Sequence, residues 1–251
     1  MPQPVPVPPL AIAQLLPEPE SDEPPLESDL HLFQVFLLLQ GLKWAWRDRQ
    51  DFYATGNLTI FYSPNQDKSQ DFRGPDFFVV LGADPRPRRS WVVWNEGGRY
   101  PNVIVELLSA STARQDRGKK KQIYQDIFRT PNYFWFDPQS GEEFAGFTLV
   151  NGRYEAIAPN EQGWLWSDQL QLYLGKHAGK LRWFTAAGEL LPIPEEDAEQ
   201  AIAAAQDAQH QAAAAQQRAD AAEQQAAAAR SQQERLAAKL RELGVDPETL
   251  A

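Results

Sequence analysis

No aromatic residue follows Phe184, although 8 tryptophans, 7 tyrosines and 13 phenylalanines precede that point in a chain of 251 residues. Aromatic side chains bury more apolar area than any others. A packed core therefore has to form in the first three quarters of the chain, and the remainder has to hold its conformation by other means. The stretch from Glu195 to Leu243 supplies them: it is rich in alanine and glutamine, lacks glycine and proline, opens on acids and stops at Gly244, with Pro247 beyond. These are the start, stop and propensity signals of one long helix. Its 49 residues would extend ~70 Å at 1.5 Å per residue. Large apolar side chains are scarce there: Ile202 near the start, then Leu236, Leu240 and Leu243. No leucine-zipper seam runs through it. Two readings stay open, a solvated helix held by alanine propensity and an alanine-seamed coiled coil that joins two copies as a homodimer.

The other end is also set apart. Residues 1–25 are rich in proline with spaced acids, a composition that favours an extended, weakly ordered lead-in. The chain thus divides into a lead-in (1–25), a core domain (26–191) and a helical tail (192–251). The net charge of −10 divides the same way: residues 1–31 carry six acids and no base, residues 195–251 carry eleven acids and five bases, and the middle carries 17 acids against 19 bases. The acidity belongs to the ends, so the overall sign does not exclude a polyanionic partner for a core of +2. Zero cysteines exclude a disulfide framework, thiolate zinc sites and a cysteine nucleophile. The longest apolar run, Val35 to Trp46, is broken by Gln40 and Lys43 and falls short of the ~20 residues a membrane helix needs. With no basic flank or apolar centre of a secretory signal at the start, the expectation is a soluble cytoplasmic protein.

Within the core, Ser28 is an N-cap for a largely buried helix running from Leu30 toward Trp46. Strands are expected at Leu58–Tyr62, Phe77–Leu81 and Val103–Leu108, then a helix over Thr112–Phe128 stopped by Thr130-Pro131, then a strand at Tyr133–Phe136. Phe144–Val150 and Arg153–Ile157 flank Asn151-Gly152, a strong hairpin signal. Leu170–Leu174 and Leu181–Phe184 read as two more strands. The fold class is α/β with a mixed (α+β) sheet: helix, three strands, helix, strand, a β-hairpin extension and the long tail helix.

Two acids interrupt these apolar strands, Asp76 after Pro75 and Glu106 in Val-Ile-Val-Glu-Leu-Leu. A carboxylate in such a run is costly to bury unless it is paired or bound to a metal. On adjacent strands the two would suit a hard cation such as Mg²⁺, with water and a substrate phosphate completing the shell. A bound ion of that kind acidifies water and stabilises charge on a phosphodiester. The following helix places Asp116, Lys120 and Tyr124 at i, i+4 and i+8 on one face, which turns Lys120 back toward the carboxylates. Arg86, Arg88 and Arg89 on one side, and Arg114 and Arg117 on the other, are candidate DNA-backbone contacts.

At these residues the chain resembles the Uma-two family of restriction-endonuclease-like proteins within the PD-(D/E)xK nuclease superfamily, over residues 28 to 190. The resemblance rests on Pro75-Asp76, on Glu106 with Ser109 and Ser111-Thr112, on Asp116-Arg117-Gly118 with Lys120 and Tyr124, and on Tyr133 to Asp137. It implies a restriction-endonuclease-like core and a metal-dependent endonuclease acting on DNA. Asp76 and Glu106 would be ligands of Mg²⁺ (or Mn²⁺), and Lys120 would position or activate the attacking water. The position two residues after the acid is Leu108, so the lysine comes from the next helix. Lys120 fits that spacing, with Lys119 and Lys121 as alternatives. Asp116, Tyr124, His31 and Glu27 are supporting candidates. The Leu108 departure and the long tail together motivate a second reading, a catalytically inactive nuclease-like scaffold or DNA-binding module that oligomerises through its C-terminal helix.

Overall fold

The computed structural model describes residues 20–21, 28–63, 71–109 and 111–244. Glu27 and most of the 1–25 lead-in lie outside these. The chain divides into two compact units, Met1–Pro194 and Glu195–Ala251.

The first unit is built on a six-stranded mixed sheet in the order β1 (Phe52–Gly56), β4 (Phe77–Leu81), β6 (Val103–Leu107), β7 (Asn132–Phe136), β8 (Phe144–Val150), β9 (Arg153–Ala156). Only β6 and β7 are parallel; the other neighbours run antiparallel. A parallel pair needs a crossover, and the helical segment after β6 provides it. Both faces of the central strands are apolar, so both are covered. Phe77, Val79, Val103, Val105, Phe134 and Phe136 face helix α1 (Asp29–Ala45) and a three-stranded sheet of β10 (Leu165–Ser167), β11 (Leu172–His177) and β12 (Lys180–Phe184). Phe78, Val80, Ile104 and Tyr133 face the crossover helix through Ile123, Tyr124 and Phe128.

Helix α1 begins where the capping signal places it: the Ser28 hydroxyl accepts from the His31 amide at 3.3 Å. It is buried on one face only, since Leu30, Leu32 and Phe33 are exposed. Its inner face is pinned to β12 by Gln34, whose carboxamide donates to the Leu181 carbonyl (2.8 Å) and accepts from the Leu181 amide (2.9 Å).

The strand expected at Leu58–Tyr62 is corrected. The strand beside β4 is β1, and only Ile60–Phe61 is extended in the expected stretch, as β2 of a small separate sheet with β3 (Phe72–Arg73) and β5 (Trp91–Val92). β1 combines the strand formers Phe52, Tyr53 and Thr55 with a glycine that packing requires. A side chain at Gly56 would collide with Val35 of α1 and with the Asp76 carbonyl, so glycine is what lets helix, β1 and β4 close together. The crossover helix also departs from a regular α-helix. It consists of α2 (Ala113–Gln115), a π-helical turn (Asp116–Lys120) and α3 (Lys121–Asp126). The β8–β9 hairpin turns at Asn151 and Gly152 with φ of 48° and 81°, both left-handed as such a tight turn requires.

The second unit is described by helix α4 (Pro194–Glu242), 49 residues with none buried. Proline at its first position, Glu195, Glu196 and Asp197 in the first turn, and Lys239 and Arg241 in the last suit the unpaired amides and the dipole. No described helix is long and apolar enough to cross a membrane.

Candidate active site

Asp76 enters β4 directly after Pro75, and Glu106 lies on the neighbouring β6, where Phe77 pairs with Val105. β4 starts at the end where β6 finishes, so both acids reach the same end of the sheet. They are joined through backbone amides. The Leu107 amide donates to Asp76 Oδ2 at 2.7 Å, and the Asp76 amide donates to Glu106 Oε2 at 3.3 Å. Alternation along β6 turns Glu106 toward the crossover helix. There its Oε1 accepts from the Tyr124 hydroxyl at 2.7 Å, and its Oε2 lies 3.1 Å from Lys120 Nζ. Glu106 is 0% exposed, and both of its oxygens are held by protein groups.

Asp116 completes the cluster. It too is buried, with Oδ1 2.8 Å from Lys120 Nζ. That contact is an ion pair without hydrogen-bond alignment, and Oδ2 has no hydrogen-bond partner among the described residues. The Tyr133 hydroxyl donates to the Asp116 carbonyl at 2.9 Å, which anchors the wide π turn to β7. π turns are rare and concentrate at functional sites. With Asp116, Lys120 and Tyr124 spaced four residues apart across this one, all three side chains converge on Glu106.

The electrostatics follow from three carboxylates around one ammonium in a buried space. Burial pushes Glu106 up to about 7, with the neighbouring Asp76 carboxylate adding to the rise against the pull of Lys120. Burial and the Glu106 carboxylate push Asp116 up to about 6. Asp76 is raised as well, chiefly by desolvation. Lys120 is desolvated, which works against its charge, yet Glu106, Asp116 and Asp76 outweigh that and raise its pKa. The cluster holds two more negative charges than positive when all four groups are ionised. Two protons or one divalent cation would offset them.

The remaining candidates separate by position. Lys121 lies over the Phe147 ring, 3.3 Å from its centroid, and Lys119 is exposed; neither reaches the carboxylates. His31 reaches the cluster's edge from the opposite face of the sheet, with Nε2 3.2 Å from the Leu107 carbonyl and Nδ1 3.0 Å from the Ser28 hydroxyl. Arg114 is exposed, and Arg117 pairs with Glu143 (3.1 Å).

Arg88, expected as a DNA-backbone contact, lies buried in an ion-pair network. Its side chain is 1% exposed and binds Glu96 (2.7 Å) and Asp84 (2.7 Å) beneath Tyr53 and Trp91. Buried and fully paired, it holds the 84–96 loop and has no face for a phosphate. Arg86 shares Glu96 (2.8 Å), and Arg89 pairs with Glu20 (3.1 Å) on the surface. Sequence reasoning did not single out Tyr133 as a support of the site. Its signal is the alternation in Tyr133-Phe-Trp-Phe, which places it beside Ile104 on the face that Glu106 shares.

A search of curated proteins found no match. Among solved structures the chain is similar to "a putative nuclease belonging to DUF820" from Anabaena variabilis, at 13% identity and a TM-score of 0.41, over 63% of this chain and 88% of that one. The family model Uma2, described as "Putative restriction endonuclease", matches residues 20–176, well over half of the sequence, and the chain belongs to that family.

Proposed function

We propose that this protein is a metal-dependent endonuclease that hydrolyses DNA phosphodiester bonds, with Asp76 and Glu106 holding Mg²⁺ (or Mn²⁺) and Lys120 acting on the substrate phosphate. The observation that carries this reading is the cluster itself: two carboxylates tied to each other through the Asp76 and Leu107 amides, with one ammonium 3.1 Å from Glu106. The donor set suits the ion. All donors are hard carboxylate oxygens, and the cluster lacks two positive charges. Among the described residues no three His, Asp or Glu side chains are arranged to enclose a metal. Two carboxylates fill only part of an octahedral shell, so a Mg²⁺ held by them would keep positions for water and phosphate oxygens.

When bound, the ion would supply an acidified water and stabilise charge on the phosphate. The protein groups do the rest. In the reaction a water oxygen forms a bond to phosphorus, one P–O ester bond breaks, and the products are a hydroxyl end and a phosphate monoester end. Lys120 is an ammonium at neutral pH because its pKa is raised, so it does not take the proton from water. It serves as a fixed positive charge beside the reacting phosphate, where charge develops in the transition state. Asp116 aims that ammonium, and Tyr124 holds Glu106 Oε1 so that Oε2 faces Lys120 and Asp76.

The test is nicking of plasmid and single-stranded DNA by the full chain with Mg²⁺ or Mn²⁺, beside Asp76→Ala and Glu106→Ala. Cleavage by the wild type alone is the expected result. Equal cleavage by all three, or none by any, overturns the reading; the latter leaves the inactive scaffold.

A further inference from the structure

A cavity of about 340 Å³ opens between the start of α1 and the loops that follow β6 and β7, the parallel pair. It lies at the carboxyl ends of those strands, where open α/β sheets bind their ligands. It is therefore at the same end of the sheet as Asp76 and Glu106. One residue links the two places: the Leu107 amide holds Asp76 Oδ2, and the Leu107 carbonyl meets His31, which lines the cavity.

Among the described residues the lining carries no lysine, arginine, aspartate or glutamate, and both ring nitrogens of His31 are engaged by Ser28 and Leu107. A phosphate would find no counter-charge in it, so the cavity suits an uncharged group. Leu30, Leu108 and Pro138 supply apolar walls, and Ser28, Ser109 and Gln139 supply polar edges. The volume is at the small end of ligand sites, which span about 300–1,000 Å³. It suits a single planar ring system with part of a sugar. The Gln139 loop is held rigid: Asp137 Oδ1 accepts from the Gln139 and Ser140 amides (2.8 and 3.2 Å), and Asp137 Oδ2 accepts from the Ser140 hydroxyl (2.7 Å). The Gln139 backbone is thus fixed, while its carboxamide makes no hydrogen bond to the described residues. A glutamine carboxamide can pair with the edge of a base, adenine above all.

We propose that this cavity receives one nucleobase turned out of the strand next to the cleaved phosphate, with Gln139 reading its edge. The assignment rests on the nuclease reading above and adds a base-binding subsite to it. Turning a base into a pocket that stacks apolar side chains on its faces and hydrogen-bonds its edge is how proteins read an unpaired nucleotide.

The experiment uses the full-length protein with Mg²⁺ and short duplexes carrying 2-aminopurine at successive positions, with the cut sites mapped on the same duplexes. Two surface variants accompany it, Gln139→Ala and Leu30→Trp, the second filling the cavity from a side chain that is already 40% exposed. The expected result is a severalfold rise in fluorescence at one position beside the cut, abolished by Leu30→Trp. Base preference at that position should be about tenfold in the wild type and about twofold in Gln139→Ala, the scale of one direct base contact. Cutting without brightening at any position, or equal brightening with Leu30→Trp, overturns the subsite and leaves the nuclease reading intact. No cutting by the wild type overturns both.

Discussion

A carboxyl group with no solvent exposure is more stable neutral than charged, and for Glu106 the sign of that preference can be measured. Its pKa is raised from 4.5 to about 7 in the fold, so the folded chain binds a proton there more tightly than the unfolded chain does. The stability this contributes is fully present below pH ~4.5 and is lost as pH rises through about 7. Glu106→Gln removes the titration. In metal-free protein, the melting temperature of Glu106→Gln relative to wild type should rise between pH 5 and pH 8; a constant or falling difference would contradict the burial argument. Lysine identity is decided by a similar logic of surroundings. Lys120 meets Glu106 and Asp116, Lys121 lies on the Phe147 ring and Lys119 points to solvent. Under the proposed function, Lys120→Met should lower single-turnover cleavage by ~10²–10³, the loss typical of removing one electrostatic stabiliser. Lys119→Ala and Lys121→Ala should stay near wild type, and a comparable loss in either would relocate the role. Arg88 and Arg86 make a third contrast, because both bind Glu96 but only Arg88 is buried. Removing Arg88 leaves Glu96 paired with Arg86 alone and its Oε2 without a donor, so Arg88→Ala should cost about 1–3 kcal/mol in urea unfolding. Arg86→Ala, at 47% exposure, should cost under about 1 kcal/mol.

Elements are legible in a sequence when a few residues decide them locally, and the structure shows where that ends. Strands β4, β6 and β7 could be read because continuous apolar runs flanked by Gly74-Pro75, Asn102 and Pro131 suit strands covered on both faces. Asn151-Gly152 fixed the hairpin, and Ser28 fixed the start of α1. β1 was not legible, because its strand formers Phe52, Tyr53 and Thr55 make a run of only five residues without apolar–polar alternation, and its place beside β4 depends on the close approach of Gly56 to Val35 and Asp76. Strands β2, β3 and β5 are two residues long, too short for any period to register. The same division runs through the site. Asp76 and Glu106 stood out as charges in apolar runs, whereas the partnership of Arg88 with Glu96 spans a loop and has no sequence period. The π turn is the sharpest case, since an ideal helix already aligns Asp116 with Lys120 and hides the wider turn. Gly118 lies inside that turn, and a side chain there would meet nothing within 4 Å. If the turn is set by Tyr133 and the Asp116–Lys120 pair rather than by glycine, Gly118→Ala should stabilise the protein by ~0.5–1 kcal/mol, the helix-propensity gain. A loss of stability in urea unfolding would show instead that glycine's backbone freedom makes the turn.

At the scale of the whole molecule, the break after Phe184 separates two kinds of stability that respond to different probes. Every Trp, Tyr and Phe belongs to the first unit, where α1 and the crossover helix are short beside α4 and its 49 residues. Near-ultraviolet dichroism and tryptophan fluorescence therefore follow the sheet core alone, while far-ultraviolet dichroism at 222 nm is dominated by α4. The core buries aromatic clusters on both faces of one sheet and should unfold in one cooperative step. α4 buries nothing, so its order comes from alanine propensity and i→i+4 contacts, which melt gradually. Heating should accordingly give a sharp transition by tryptophan fluorescence and a broad, non-coincident one at 222 nm, with the helical loss already under way below the core midpoint. That outcome supports a solvated helix. Coincident midpoints that rise with protein concentration would instead mean that α4 is stabilised by a second copy, the alanine-seamed association that its composition leaves open. The same helix carries −6 of the −10 net charge along with the rest of its unit, so its state also decides where that negative field lies when a polyanion approaches the core.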